Sequence, residues 1–298
     1  MKVGILGTGK FGLSLGKNIN SKDLYYSSPT GKILENINML SLKDICNVDI
    51  LIISISAQYI IDYFENSFKN TGQLIMIASK GIDIKKGFIS KYLLENNILK
   101  KKQLSIISGP SFASELMEHK NTVFTIATKS KKNYKILNQI FSNNIKTYYT
   151  KDIIGVEISG SYKNIIAIAS GIVKGLNLGI NTQTALISRG LIEMYRFSAN
   201  FGSKKGTFMN VSGAGDLFMT SLSENSRNYR FGMYIAEGKT LEEIKILLNG
   251  EIAEGYFTLQ AIIKIANELK VYVPIANELH LIINKSGKIE DSLKRLMT

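Results

Sequence analysis

Short apolar runs alternate with amphipathic stretches through the first half of the chain. Helical spacing is present at residues 11–18, 59–68, 87–96 and 131–141. Seven apolar runs have the length of strands, at residues 2–6, 24–27, 49–54, 74–78, 104–108, 123–128 and 145–149. Strands that alternate with helices are typical of a doubly wound, mainly parallel sheet, so we expect an α/β domain over residues 1–150.

After about residue 150 the pattern changes to almost continuous helical periodicity. Helices are predicted at residues 152–174, 182–200, 228–237, 240–248, 255–269 and 274–284, with breaks at 202–206 and 212–216. Because 298 residues exceed the usual size of one domain, we expect a second, all-helical domain over residues 151–298.

One predicted helix contains no charged residue from Asn164 to Val173 and is rich in Ile, Ala and Gly. A helix that is apolar on every face is typically buried, and Lys163 lies at its head. Burial disfavours the charged ammonium, which makes Lys163 a candidate acid or base for proton transfer with an alcohol. The alternative is a lysine whose ammonium reaches solvent, as most lysines near helix starts do.

A glycine motif follows the first predicted strand and opens the first predicted helix. It is G-x-G-x-x-G, with Gly7 suited to the tight turn, Gly9 to backbone contact with a pyrophosphate and Gly12 to close packing of helix on strand. The free N–H groups of the helix start then face the phosphates. The motif indicates a Rossmann-type domain that binds a dinucleotide.

The end of the second strand leaves the choice between NAD and NADP open. Rossmann domains that bind NAD place Asp or Glu there, whereas this chain has Ser27, Ser28 and Pro29. These hydroxyls and Lys32 suit a 2′-phosphate, but no arginine accompanies them.

Other candidates lie in loops and at helix starts. Lys80 follows the fourth strand, and Ser111 follows Gly109 and Pro110 after the fifth; the alternative for Ser111 is an ordinary helix cap. Asp216 lies at a predicted helix start, where it is either a functional carboxylate or an N-cap. The sequence Ser226, Arg227, Asn228 combines a guanidinium with an amide, which suits a phosphate.

Composition restricts the class of partner. The net charge of +13 favours anionic ligands, but the lysines occur in short separated groups without interleaved aromatic residues, so we expect no nucleic acid and at most loose attraction to an acidic membrane surface. With one cysteine (Cys46) and two histidines, we expect neither a disulfide nor a bound metal. We see no membrane span or signal peptide and expect a cytoplasmic protein.

Taken together, these motifs resemble the bacterial type of the NAD(P)-dependent glycerol-3-phosphate dehydrogenase family over nearly the whole chain. The matching segments are residues 7–12, 78–82, 108–115, 157–171, 185–194, 212–216, 226–231 and 253–255. The resemblance implies an oxidoreductase that interconverts dihydroxyacetone phosphate and sn-glycerol 3-phosphate, a precursor for phospholipid synthesis. A homodimer formed through the helical half is also typical of this family.

The resemblance also implies roles for individual residues. Lys163 corresponds to the group that accepts the proton when the alcohol is oxidised, and Asp216 is implied as the catalytic carboxylate beside it. The substrate positions are Lys80, Gly109, Ser111, Lys163, Asp216, Ser226, Arg227 and Asn228. The dinucleotide positions, besides Gly7, Gly9 and Gly12, are Lys10, Phe11, Lys80, Ala113, Arg227, Ile252 and Glu254.

Two rival assignments fit these residues less well. Lysine-dependent 3-hydroxyacid and 6-phosphogluconate dehydrogenases place an asparagine four residues after the lysine, whereas here Asn164 is adjacent and position 167 is Ala. A non-catalytic dinucleotide sensor would have lost part of the Lys, Asp and Arg set, and all three are present.

Overall fold

The computed structural model describes residues 1–284 together with 291, 292 and 295. The chain divides into two compact units. The first contains Met1–Lys80 and Phe88–Glu157, and the second contains Gly81–Gly87 and Ile158–Thr298.

A seven-stranded sheet forms the centre of the first unit. Its spatial order is β2-β1-β3-β4-β5-β6-β7, and every neighbouring pair is parallel except β5 and β6, which are antiparallel. The expected doubly wound, mainly parallel sheet is therefore confirmed. The strands are β1 (Val3–Leu6), β2 (Leu24–Ser27), β3 (Ile50–Ile53), β4 (Leu74–Ile77), β5 (Leu104–Ser108), β6 (Thr122–Thr128) and β7 (Ile145–Thr150).

Helices cover both faces of this sheet. They are α1 (Lys10–Lys17), α2 (Ile60–Asn66), α3 (Ile89–Glu95), α4 (Ala113–Met117) and α5 (Lys131–Gln139), with single 3₁₀ turns at Asp44–Cys46 and Ala57–Tyr59. Successive residues of β3 belong to hydrophobic cores on opposite faces of the sheet. Ile50 and Ile52 pack on one face, and Leu51 and Ile53 pack on the other. Cys46 is fully buried in the second of these cores.

The second unit is helical, and α6 (Ile153–Gly175) contains residues of both units. The remaining helices are α7 (Gly179–Ala199), α8 (Lys205–Phe208), α9 (Asp216–Ser221), α10 (Arg227–Ala236), α11 (Leu241–Leu247), α12 (Glu254–Leu269) and α13 (Pro274–Ile283). The prediction that residues 202–206 and 212–216 interrupt the helices was wrong in part. Helix α8 begins at Lys205, and Val211–Gly215 forms a π-helical turn that continues directly into α9.

Glycine allows that π-helical turn to pack closely. A Cβ atom on Gly213 would lie 2.4 Å from both the Cα and the carbonyl oxygen of Phe208, a distance that no side chain tolerates. Glycine at this position thus marks a close backbone approach and not a loop.

The charge-free segment of α6 is buried as predicted. Every residue from 155 to 173 is buried. Two glycines let α10 cross α6 in backbone contact. A Cβ on Gly171 would lie 2.0 Å from the backbone oxygen of Tyr229, and one on Gly232 would lie 2.0 Å from the backbone oxygen of Ile168.

Within the described part of the chain, no helix combines the length and hydropathy that crossing a membrane requires.

The three glycines between β1 and α1 differ in what surrounds them. Gly7 has φ +124°, and a Cβ there would lie 2.3 Å from the Ser54 oxygen. A Cβ on Gly12 would lie 2.2 Å from the Gly7 oxygen, whereas one on Gly9 would meet no atom within 4 Å. The tight turn and the close helix packing are thus confirmed, and the backbone at Gly9 is open.

We expect Gly12→Ala to lower the free energy of unfolding by at least about 1–3 kcal/mol, because its methyl group overlaps main-chain atoms. Thermal and urea unfolding measure the effect. The matched variant Gly9→Ala adds the same atom to open space and is expected to cost at most about 1 kcal/mol as a change of helix cap. Equal losses in the two variants would contradict the packing described for Gly12.

Glu157 is a buried carboxyl group held by the start of α3. Ser90 donates its backbone N–H to Oε1 at 3.0 Å and its hydroxyl to Oε2. Burial raises the pKa of Glu157 from 4.5 to about 7, against the opposing effect of these hydrogen bonds. The folded protein therefore holds this proton at pH values where the unfolded chain has released it.

This group makes stability fall as the pH rises from about 4.5 to about 7, because the folded state binds the extra proton. Glu157→Gln has no proton to lose. We expect the stability of the variant relative to the natural chain to improve across that interval by up to about 3 kcal/mol. Urea unfolding of both proteins at several pH values measures it, and parallel pH profiles would refute it.

Candidate active site

Lys163 lies inside the second unit and does not reach solvent. The residue is 4% exposed, and its Nζ atom donates hydrogen bonds to Asp216 Oδ1 at 2.5 Å and to Thr220 Oγ1 at 2.7 Å. The prediction of a buried lysine is confirmed, and the solvent-reaching alternative is wrong.

Asp216 acts on Lys163 and does not cap its own helix. It is the first residue of α9, preceded by Gly215 at the cap position, and it is fully buried. The π-helical turn before it is fixed to α6 by Ser159, whose hydroxyl donates to the Ser212 oxygen at 3.0 Å. Because Ser159 lies one turn before Lys163, this bond helps place Asp216 beside the amine.

Thr220 is a third member of the cluster, and sequence reasoning missed it. Its hydroxyl donates to the Asp216 backbone oxygen at 2.7 Å, so its lone pair is directed at Lys163. The usable signal was its spacing of four residues from Asp216, which puts both on one helix face.

Two opposing effects act on the Lys163 amine. The adjacent Asp216 carboxylate stabilises the ammonium form, while burial removes the water that would otherwise stabilise it. An amine held between a carboxylate and a hydroxyl has a fixed direction and a defined path for its proton. Such an arrangement suits a group that exchanges a proton with a substrate oxygen.

Asn228, on α10, lies near Asn164, the residue that follows Lys163. Its Oδ1 atom accepts the Gly255 N–H at 2.8 Å. A Cβ on Gly255 would lie 2.7 Å from that oxygen and 2.8 Å from the Asn164 backbone oxygen. Gly255 is therefore required for α10 and α12 to meet α6 at this point.

The remaining candidates of the second unit lie at helix starts. Ser226 caps α10, with Oγ accepting the Tyr229 N–H at 3.3 Å. Arg227 is 40% exposed and donates from Nη1 to Glu251 Oε2. Glu254 is the first residue of α12, and Ile252 lies just before it; both are half-buried.

In the first unit, two side chains converge on one carbonyl. Lys80 Nζ and Ser111 Oγ each donate to the Gly109 oxygen at 2.9 Å. A Cβ on Gly109 would lie 2.4 Å from the Val123 oxygen, so glycine is needed there. Ser111 does not cap α4: Phe112 occupies the cap position, and Ala113 begins the helix.

The turn after β1 fits a dinucleotide. Gly9 and Lys10 are exposed, Phe11 is half-buried, and the main chain at Gly9 can be approached without meeting a side chain. Because the first N–H groups of α1 have no partner within the helix, they are available to phosphate oxygens.

Comparison with known proteins identifies the family. The C-terminal model of the NAD-dependent glycerol-3-phosphate dehydrogenases matches residues 152–294, and the N-terminal model matches residues 29–134. The chain belongs to this family. The rival dehydrogenase and sensor assignments gain no support from these matches.

Individual relatives match all or nearly all of the chain. A glycerol-3-phosphate dehydrogenase [NAD(P)+] of Nitratiruptor sp. is 43% identical over 285 residues, which are 95% of this chain and 94% of the relative. The enzyme of the same name from Campylobacter lari is 40% identical over 100% of this chain and 98% of its own. The crystal structure of a Coxiella burnetii glycerol-3-phosphate dehydrogenase superposes with a TM-score of 0.88 at 26% identity, covering 99% and 98% of the two chains.

Removing either charge of the buried pair should destabilise this member of the glycerol-3-phosphate dehydrogenase family. We expect Asp216→Asn and Lys163→Met each to lower the free energy of unfolding by about 3–5 kcal/mol, because each leaves a buried charge without its partner. Urea unfolding measures both.

The double variant Asp216→Asn with Lys163→Met should lose less than the sum of the single losses. A surface control is the exposed pair Lys91 and Glu95, whose atoms are 3.8 Å apart; Glu95→Gln should cost at most about 1 kcal/mol. Strict additivity of the two buried substitutions would show that the pair is not coupled.

Proposed function

We propose that this chain is an NAD(P)-dependent sn-glycerol-3-phosphate dehydrogenase that interconverts dihydroxyacetone phosphate and sn-glycerol 3-phosphate. The buried Lys163 amine, fixed by Asp216 and Thr220, is the observation that carries this assignment. It supplies the proton exchange that reduction of a ketone requires.

We assign the two halves of the chain separate tasks. Residues 1–150 form the dinucleotide-binding domain, and residues 151–298 form the helical domain that binds substrate. The open backbone of the turn after β1 supports the first assignment. The dinucleotide residues are Gly7, Gly9, Lys10, Phe11, Gly12, Lys80, Ala113, Arg227, Ile252 and Glu254.

The substrate carries a phosphate, a reacting oxygen and a hydroxyl, and the proposed residues match these groups. The Arg227 guanidinium is partly exposed, and its described ion pair, with Glu251, uses the Nη1 atom. A guanidinium has five N–H donors, so Arg227 can also bind a phosphate. The full set is Lys80, Gly109, Ser111, Lys163, Asp216, Ser226, Arg227 and Asn228.

Proton movement centres on the Lys163 Nζ atom. For oxidation of the alcohol, the neutral amine takes the hydroxyl proton; for reduction of the ketone, the ammonium gives a proton to the oxygen at the second carbon. NAD(P), held by the glycine turn after β1, would supply the hydride for reduction of the ketone or take it up during oxidation of the alcohol. Asp216 and Thr220 hold Nζ in place and balance the ammonium charge when it forms.

We also propose a cytoplasmic homodimer whose product supports phospholipid synthesis. Exposed Ile192 and Tyr272, which are 62% and 67% accessible and line one shallow pocket of the helical unit, support association through that unit. Light scattering of the purified protein tests the dimer. Sedimentation with acidic vesicles at low and at physiological salt tests the loose surface attraction proposed from the charge of +13.

The purified protein should oxidise NADH or NADPH when dihydroxyacetone phosphate is added. We expect Lys163→Ala to lower kcat by about 10²–10⁴-fold, because the proton exchange is lost, while the dinucleotide Kd stays unchanged. Absorbance of the reduced cofactor gives kcat, and fluorescence titration gives Kd.

The matched control is Lys174→Ala, the same substitution at an exposed position near the end of the same helix. It should retain full turnover. Circular dichroism verifies that both variants are folded. Unchanged turnover in a folded Lys163→Ala protein would assign proton transfer to another group.

A further inference from the structure

The positive charge of the chain is concentrated in one part of the sequence. Residues 96–114 and 119–151 together contain ten lysines and neither aspartate nor glutamate. Because the whole chain has a net charge of +13, these two segments supply ten of its thirteen excess positive charges. The charge is therefore a property of one region and not of the whole surface.

The sheet brings three separate groups of these lysines to one edge. Residues 100–102 precede β5, residues 129–132 follow β6, and Lys151 follows β7. The start of β5 pairs with the end of antiparallel β6, and the end of β6 pairs with the end of parallel β7. The three groups thus lie side by side at the same edge. We call the following side chains the lysine edge: Lys100, Lys101, Lys102, Lys129, Lys131, Lys132 and Lys151.

Two hydrogen bonds hold these groups together. The Asn133 side chain, in the first turn of α5, donates to the Lys102 backbone oxygen at 2.6 Å. The Lys129 ammonium donates to the Lys151 backbone oxygen at 2.8 Å. Groups that are far apart in the sequence therefore form one continuous surface in the first unit.

The charge of the lysine edge is not balanced by carboxylates. All seven lysines are exposed, and none forms an ion pair with any residue that the structure describes. Asp152, the acid that follows Lys151, is only 5% exposed, and its Oδ1 accepts the Gly155 N–H at 3.0 Å. The edge thus presents a field of one sign to solvent.

Local stability does not account for these positions. Lys131 and Lys132 occupy the first turn of α5, which contains no acidic residue. The start of a helix is the positive end of its dipole, so cations there are unfavourable. The three consecutive ammonium groups at residues 100–102 also repel one another. A partner that carries negative charge would relieve both costs.

The chemistry of the edge favours a lipid surface over a nucleic acid. Residues 96–151 contain no arginine, the side chain that holds a phosphate or a guanine edge through two hydrogen bonds. No aromatic residue lies among residues 100–102 or 129–132 to stack on a base. Flexible lysines from separate loops instead match the dispersed headgroup charges of a bilayer, to which clusters of about four to eight cations bind.

We propose that the lysine edge docks the chain on an anionic lipid bilayer. The inference rests on the proposed function and deepens it, because a product used for phospholipid synthesis is then released at the surface where it is consumed. It assigns the attraction to one face of the first unit, and not to the net charge of the chain.

Docking at this edge leaves the dinucleotide turn open. The glycine turn follows β1, whereas residues 100–102 precede β5, and strands β1, β3, β4 and β5 are parallel to one another. The lysine edge and the glycine turn therefore lie at opposite ends of these strands. A docked chain can still exchange its cofactor with solution.

Sedimentation with vesicles tests the docking. We expect the natural chain to bind vesicles made of equal parts of phosphatidylglycerol and phosphatidylcholine at low salt, and not vesicles of phosphatidylcholine alone. Binding should be lost as the salt concentration rises toward about 1 M, where the Debye length falls to about 3 Å.

Two triple variants locate the binding surface. One combines Lys100→Gln, Lys101→Gln and Lys102→Gln, and the other combines Lys131→Gln, Lys132→Gln and Lys151→Gln. Each lysine near an anionic surface changes the affinity by about fivefold, so each triple variant should bind about 10²-fold more weakly. The second should unfold at the same urea concentration as the natural chain or a higher one, because it removes cations from a helix start.

The matched control combines Lys174→Gln, Lys245→Gln and Lys264→Gln, three exposed lysines of the second unit. It removes the same net charge from another part of the chain. Its affinity for the anionic vesicles should equal that of the natural chain, which separates a defined surface from an effect of total charge.

The proposal is overturned if the control loses as much affinity as the two edge variants, or if both edge variants bind as the natural chain does. Binding of a short DNA duplex without binding of the vesicles would also overturn it. Turnover in solution is measured separately. A chain that docks but does not reduce dihydroxyacetone phosphate loses the proposed reaction and keeps its lysine edge, whereas a chain that turns over but does not dock loses only the lysine edge.

Discussion

The contact between the Lys163 ammonium and the Asp216 carboxylate is the interaction on which the second unit depends. Burying two charges is costly, and their attraction offsets that cost only when the remaining hydrogen-bonding groups are also satisfied. Thr220 contributes to this requirement by accepting a hydrogen bond from the amine, while the bond from Ser159 to the π-helical turn holds the start of α9 against α6. The segment that follows the amine, from Asn164 to Val173, contains no charged residue.

The same helix determines how its neighbours pack. Glycines at positions 171 and 232 allow α6 and α10 to touch through their backbones, and Gly255 allows α12 to approach the same point. Because the contacts at positions 171 and 232 are with main-chain atoms, α10 lies closer to α6 than packed side chains would allow. Precise placement is what proton exchange with a small substrate demands.

The sequence predicts local features well and long-range pairing less well. Strand and helix positions follow from apolar spacing, and the burial of α6 follows from its lack of charge, because both are properties of contiguous residues. The antiparallel pairing of β5 and β6 depends on the path of the chain between them. Glycines at 212–216 were misread as a break because the pattern does not record that Gly213 touches Phe208.

The candidate site divides in the same way. The sequence indicates that Lys163 is a buried amine and that Asp216 is a carboxylate at a helix start. The distance of 2.5 Å between Lys163 Nζ and Asp216 Oδ1, by contrast, results from the tertiary structure. Thr220 carries no motif of its own, and only the fold shows that its hydroxyl faces the amine. The convergence of Lys80 and Ser111 on one carbonyl oxygen likewise depends on two separate loops.

The solitary thiol has a practical consequence. Cys46 is fully buried, with its sulfur beside the Tyr63 hydroxyl and the Lys69 backbone N–H. Reagents that alkylate surface thiols will therefore leave the natural chain unlabelled. A cysteine introduced at position 33, where the Ile33 side chain is 82% exposed, would therefore carry a fluorophore at that single place.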